Sequence, residues 1–132
     1  MTQQWKITSN PANLRHVRKE LEGFAKSIGM ADESTQAVGL VLNEALANIM
    51  RHGYGGAVDK PILVTAEQGE KELRVVIRDW AKPFDPSAIK RRCEDELTPG
   101  GLGLVCIRKL MDDVKFECLP DGMVLRLTKK LA

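Results

Sequence analysis

Ala37-Val38-Gly39-Leu40-Val41-Leu42-Asn43-Glu44-Ala45-Leu46-Ala47-Asn48-Ile49-Met50-Arg51-His52-Gly53-Tyr54 has the length and composition of a buried helix. From Ala37 to Met50 nearly every residue is apolar or small, apart from Asn43, Glu44 and Asn48. A helix that is apolar nearly all round is covered on most sides. Asp32 is a suitable cap for its start, and it should reach about Arg51 before Gly53, Gly55 and Gly56 break it. Glu44, Asn48 and His52 recur at a spacing of four, which sets them on one slowly rotating stripe. Burying an unpaired carboxylate is costly, so Glu44 needs a partner: bound water, a metal or a hydrogen-bonding group. An amide oxygen beside a carboxylate suits Mg²⁺, which takes oxygen ligands and keeps several waters. A plainer reading has Glu44 and Asn48 bonding neighbouring loops. On that reading His52 is a helix-ending cation favoured by the dipole.

The flanking sequence supplies the other elements. Trp5 to Thr8 reads as a short strand, stopped by Ser9-Asn10-Pro11. A first helix should run from Pro11 to Ile28, with Leu14, Val17, Leu21, Phe24 and Ile28 on one apolar stripe and Gly29 at its end. After the buried helix, Pro61 to Glu67 and Glu72 to Arg78 alternate as two strands about a hairpin turn, Gln68-Gly69-Glu70-Lys71. Trp80 to Gly101 is a long segment rich in Pro and Gly, and loops of that length in a compact domain usually carry function. Leu102 to Met111 is a third helix. Val114 to Leu119 and Met123 to Thr128 are strands joined at Pro120-Asp121-Gly122. The order β-α-α-β-β-loop-α-β-β implies an α+β fold: a two-layer sandwich of about three helices on one mixed, mostly antiparallel sheet.

Two further places carry chemistry. In Asp79-Trp80-Ala81-Lys82-Pro83-Phe84-Asp85 an acidic residue closes a strand whose Leu73, Val75, Val76 and Ile77 are core-like. A carboxylate there can accept a hydrogen bond from an exocyclic amine such as that of adenine; the plainer reading is a strand-ending Asp before a turn. Gly100-Gly101-Leu102-Gly103-Leu104 leads into the third helix. Glycines let a backbone approach phosphates, and the free N–H groups of a helix start favour anions. The spacing matches neither the P-loop nor the dinucleotide fingerprint, and no strand directly precedes it.

Composition sets the frame for these sites. The chain has 132 residues, 43% apolar and 29% charged, and suits one domain, 1–132, with one core. A formal net charge of +2 is too small to advertise nucleic acid or an anionic membrane. The cluster Lys90-Arg91-Arg92 is followed at once by Glu94, Asp95 and Glu96, as in a solvated loop. Three cysteines, Cys93, Cys106 and Cys118, form no close pair and argue against a disulfide framework or a zinc site. With no signal-peptide core at the N-terminus, and no apolar run near the roughly 18 residues of a membrane span, a cytoplasmic location is expected.

Taken in order, the three sites resemble those of the histidine-kinase-like ATPase (GHKL) superfamily that includes DNA gyrase, histidine kinases and MutL. Glu44-x-x-x-Asn48-x-x-x-His52-Gly53-Tyr54 looks like its N box. Asp79-x-x-x-Pro83-Phe84-Asp85-Pro86 looks like the first glycine box, and Gly101-x-Gly103 resembles the second. The Pro-Phe-Asp-Pro variant, with Gly-Gly-Leu-Gly-Leu-x-x-Ile-Arg-Lys-Leu-Met-Asp-Asp-Val, resembles the anti-sigma-factor serine/threonine kinases of bacterial partner-switching systems.

That resemblance implies binding of ATP or ADP with Mg²⁺, Asn48 as the metal ligand and Glu44 as general base. Asp79 would bind adenine, with His52, Ala81, Pro83, Phe84, Leu102 and Leu104 around the nucleotide. Gly100, Gly101 and Gly103 would close over phosphates beneath a lid from about Pro86 to Pro99. Arg18 aligns with an arginine that family members use to dock partners, although a solvated helix face with Arg15 and Lys19 is the plainer reading. The implied partners are a STAS-type anti-sigma-factor antagonist and a sigma factor or other regulator, and a homodimer is typical of the family. Ala81 departs from the family's usual Gly, and its methyl group would crowd the nucleotide or demand a different backbone angle. A nucleotide-holding module that sequesters a partner without phosphorylating it is the second reading, and an orphan ATPase fragment of a larger machine the third. His16 lies in the first helix, but no separate helical hairpin bears a phosphoacceptor, which speaks against a sensor histidine kinase.

Overall fold

The computed structural model describes residues 1–81 and 107–132. Strand β1, Thr2–Thr8, is followed by a 3₁₀ turn at Pro11–Asn13 and helix α1 at Leu14–Ser27. Asn10 organises this junction: its side chain accepts the Ala12 N–H at 3.0 Å, and Pro11 sits in the first turn where its missing N–H costs nothing. The helix expected from Pro11 therefore begins with a tighter turn. Val17, Leu21, Phe24 and Ala25 form its buried stripe, with Leu14 and Ile28 packed at the margin. Gly29 takes a left-handed φ of 90° as the helix ends.

Helix α2 spans Asp32–Asn48 and is buried at Val38, Val41, Leu42, Ala45 and Leu46. Its cap is Ala31 rather than Asp32. Asp32 and Glu33 lie in the first turn, where the positive end of the helix dipole favours their charge. The last turn does not continue to Arg51 as α-helix. It widens into a π turn at Ile49–Gly53, closed by the Tyr54 N–H donating to Ile49 O at 2.8 Å.

Strands β2 (Pro61–Gly69) and β3 (Glu72–Asp79) form the expected hairpin. After the undescribed residues, 107–110 are helical and make the described end of α3. Strands β4 (Asp113–Leu119) and β5 (Gly122–Lys130) complete one five-stranded sheet in the order β1-β2-β3-β5-β4. Every pairing among the described strands is antiparallel, so the sheet is simpler than the mixed one expected.

Alternation along the strands divides the two faces. Trp5, Ile62, Val64, Val75, Ile77, Leu125 and Leu127 point to the helices and join the α1 and α2 stripes in one core. The opposite face carries ion pairs such as Arg126–Glu117 at 2.8 Å and Arg74–Glu67 at 3.4 Å. These are half-exposed and add little stability. Cys118 on β4 is disulfide-bonded. That corrects the reading of the cysteines, since residues distant in sequence meet only through the fold. Among the described residues no helix is long and apolar enough to cross a membrane.

Candidate functional site

Two elements converge at one end of the core. Asn48 is the last residue of α2, held at the surface of the core because Ala45 and Ile49 beside it are buried. Asp79 is the last residue of β3 and is only 1% exposed. Asn48 and Asp79 line the same cavity, whose other walls are Ala45, Ile49, Ile77, Ile107, Phe116, Met123 and Leu125. An apolar slot with one buried carboxylate accepts a flat ring that carries an amine donor.

The Asp79 carboxylate is fixed by its own chain. Its Oδ1 accepts the Ala81 N–H at 3.1 Å, a buried bond that turns the backbone back over the side chain. Ala81 is itself buried. Lys71 is the one non-glycine with a left-handed φ among the described residues, so Ala81 needs no glycine backbone angle. The methyl group's second expected consequence, crowding of a ligand, is a matter of space alone. Gly122, at the start of β5, packs on the same strand end: a Cβ there would lie 2.0 Å from Asp79 O.

Glu44 lies one turn before Asn48 on α2 and is half-buried. It has no protein hydrogen bond or ion pair among the described residues and does not line the cavity. His52 is exposed in the π turn and does not line the cavity either. Arg51 Nη2 stands 3.4 Å from Asn48 Oδ1. Among the described residues no three His, Cys, Asp or Glu side chains gather to hold a metal. A magnesium ion here would take Asn48 Oδ1 and complete its shell from water and phosphate oxygens, a donor set that fits the ion.

Arg18 sits on α1, away from the cavity, with its Nε 3.0 Å from Glu22 Oε1. Pro83, Phe84, Gly100, Gly101, Leu102, Gly103 and Leu104 lie outside the described residues, as does the expected lid. Sequence reasoning missed the walls: Phe116, Met123, Leu125 and Ile107 were read only as strand or helix residues. Strand alternation places the first three on the helix-facing side, but only the closing of the sheet beside α2 makes that part of the face a cavity.

The chain matches the model of the histidine kinase-like ATPase domain over residues 7–129. It is 32% identical over 131 residues to the serine-protein kinase RsbW of Listeria innocua, covering 93% of this chain and 83% of that protein. It is 27% identical over 137 residues to the serine-protein kinase RsbW of Oceanobacillus iheyensis, covering 98% and 86%. Among solved structures it is similar to the RsbU and RsbW domains of a Mycobacterium tuberculosis protein, with a TM-score of 0.75 at 20% identity. That match covers 99% of this chain but spans only 32% of the larger one. The SiaB–SiaC complex of Pseudomonas aeruginosa gives a TM-score of 0.64 at 15% identity, covering 94% of this chain and 88% of the matched one. These two structural likenesses speak for the fold.

Proposed function

The chain belongs to the histidine kinase-like ATPase domain family and, within it, to the RsbW serine-protein kinases, and from that membership we propose that it phosphorylates a serine or threonine of a small STAS-type anti-sigma-factor antagonist in a partner-switching system. ATP use and protein kinase activity come with the family. One observation supports the site assignment: Asn48 and Asp79, from separate elements, face one apolar cavity, with Glu44 a single helical turn from Asn48.

Asp79 accepts a hydrogen bond from the adenine amine, while Ile77, Phe116, Met123 and Leu125 cover the ring. Asn48 offers its amide oxygen at the phosphate end, where it would hold Mg²⁺, whose charge would offset that of the phosphates. Gly100, Gly101 and Gly103 give the phosphates a backbone they can approach closely. Glu44, which has no protein partner among the described residues, accepts the proton of the attacking hydroxyl. Arg18 docks the protein substrate on the exposed side of α1. The same chain binds a sigma factor or other regulator as a homodimer, and phosphorylation of the antagonist decides which complex forms.

Glu44→Gln tests the assignment because it removes the base and keeps the shape. Phosphoryl transfer is expected to fall by about 100-fold or more. ADP affinity should stay close to that of the unaltered protein; equal transfer rates in the two proteins reject Glu44 as the base. Labelled ATP bound without label reaching any antagonist protein favours the nucleotide-holding module instead.

A further inference from the structure

The β2–β3 ladder stops one rung short of where its geometry allows. The Ser9 N–H donates to Lys60 O at 2.7 Å and the Gln68 N–H to Met1 O at 2.9 Å. Residues 60 and 68 thus turn their backbone groups toward β1. In an antiparallel sheet these groups alternate sides along a strand, so the odd-numbered residues of β2 turn theirs toward β3. The register sets Ile62 opposite Asp79, which leaves Trp80 opposite Pro61. A direct bond from the Trp80 N–H to Pro61 O is therefore the next rung.

A side chain occupies that rung. The Tyr54 hydroxyl accepts the Trp80 N–H at 2.8 Å and donates to Pro61 O at 2.5 Å. Both backbone groups are satisfied through the one hydroxyl rather than by a direct bond to each other. β3 ends at Asp79, and the chain is free to turn so that the Ala81 N–H reaches Asp79 Oδ1. Tyr54 arrives there because the π turn carries the chain from Asn48 directly to it.

We propose that Tyr54 is a positioning residue of the nucleotide site: its hydroxyl, standing in the last rung between Pro61 and Trp80, aims the Asp79–Ala81 turn into the cavity and ties it to the helix end that carries Asn48. The role rests on the nucleotide reading of that cavity. One hydroxyl then fixes the spacing between the base-recognising carboxylate and the amide at the phosphate end. Without it, Trp80 is drawn one rung further onto β2 and the carboxylate turns with it.

Tyr54→Phe removes the oxygen and keeps the ring. Calorimetric titration with ADP and with GDP, each with MgCl₂, reads the result. The variant is expected to bind ADP about tenfold more weakly, the scale of one lost hydrogen bond and its consequences, and to lose part of its preference for ADP over GDP. A residue that serves stability alone leaves that preference unchanged. If the variant binds ADP within about twofold of the unaltered protein, with the same base preference, the positioning role is overturned and the nucleotide reading stands. If the unaltered protein binds neither nucleotide, the nucleotide reading is overturned, and this role with it. Should the variant not fold, amide exchange in the unaltered protein decides. A Trp80 amide that is protected, and slower still with ADP, supports the role; exchange at the free-chain rate overturns it.

Discussion

Asp79 illustrates how much one side chain depends on neighbours that carry no chemistry. Its carboxylate is held by the Ala81 amide, its backbone by pairing with Met123, and its carbonyl is overlaid by Gly122. Gly122 has a φ of 150°, and a Cβ there would meet a backbone oxygen that cannot swing aside. Gly122→Ala should therefore cost about 1–3 kcal/mol of stability. Because the atom struck belongs to Asp79, ADP affinity should fall as well. Urea unfolding and ADP titration of the same variant check both; a loss of stability with full affinity would show that Asp79 keeps its aim despite the shift.

The helices raise a different question, how α1 and α2 approach each other. Gly39 is the notch: a Cβ there would lie 2.7 Å from Glu22 Oε1, and the same oxygen holds Arg18 at 3.0 Å. Here the struck atom is the end of a flexible side chain and can move. Gly39→Ala is thus expected to spare stability, since alanine in a helix interior gains about 1 kcal/mol over glycine. Its effect should fall on Arg18, which loses its alignment by Glu22. The KM for the protein substrate should rise while the KM for ATP stays unchanged. A rise in the KM for ATP would instead place the disturbance at the cavity.

For the whole molecule, the cavity joins parts that the chain keeps far apart. α2, β3, β5, β4 and the end of α3 all contribute walls. A ligand bound there holds both layers together and stabilises the folded state by mass action. At 100 times its dissociation constant, ADP with Mg²⁺ should add about 2.7 kcal/mol. For a chain of this size that corresponds to a rise of roughly 5–10 °C in Tm. Scanning calorimetry measures it, and chelating the Mg²⁺ should remove much of the increment. An equal rise with and without chelator would argue against a metal held between Asn48 and the phosphates.

The buried helix, the stripe of α1, the β2–β3 hairpin and the alternation of β4 and β5 were all legible in the residues, because local periodicity and local turn chemistry specify them. The places of Asn48 and Asp79, at the end of a buried helix and of a core strand, were legible too, since polar groups stand out against apolar runs that must be covered. Other features had no local signal. The π turn after Asn48 replaces an α-helical ending that Arg51 and His52 would equally allow. The role of Tyr54 depends on which backbone groups of β2 face β3, a property of register between strands. The walls supplied by Phe116, Met123 and Leu125 exist because β5 pairs with β3 and brings β4 alongside. The Cys118 disulfide likewise needs a meeting of distant segments. Periodicity is written into a single segment of chain, whereas register, cavity walls and cross-links are relations between segments, set only when the layers close on a shared core.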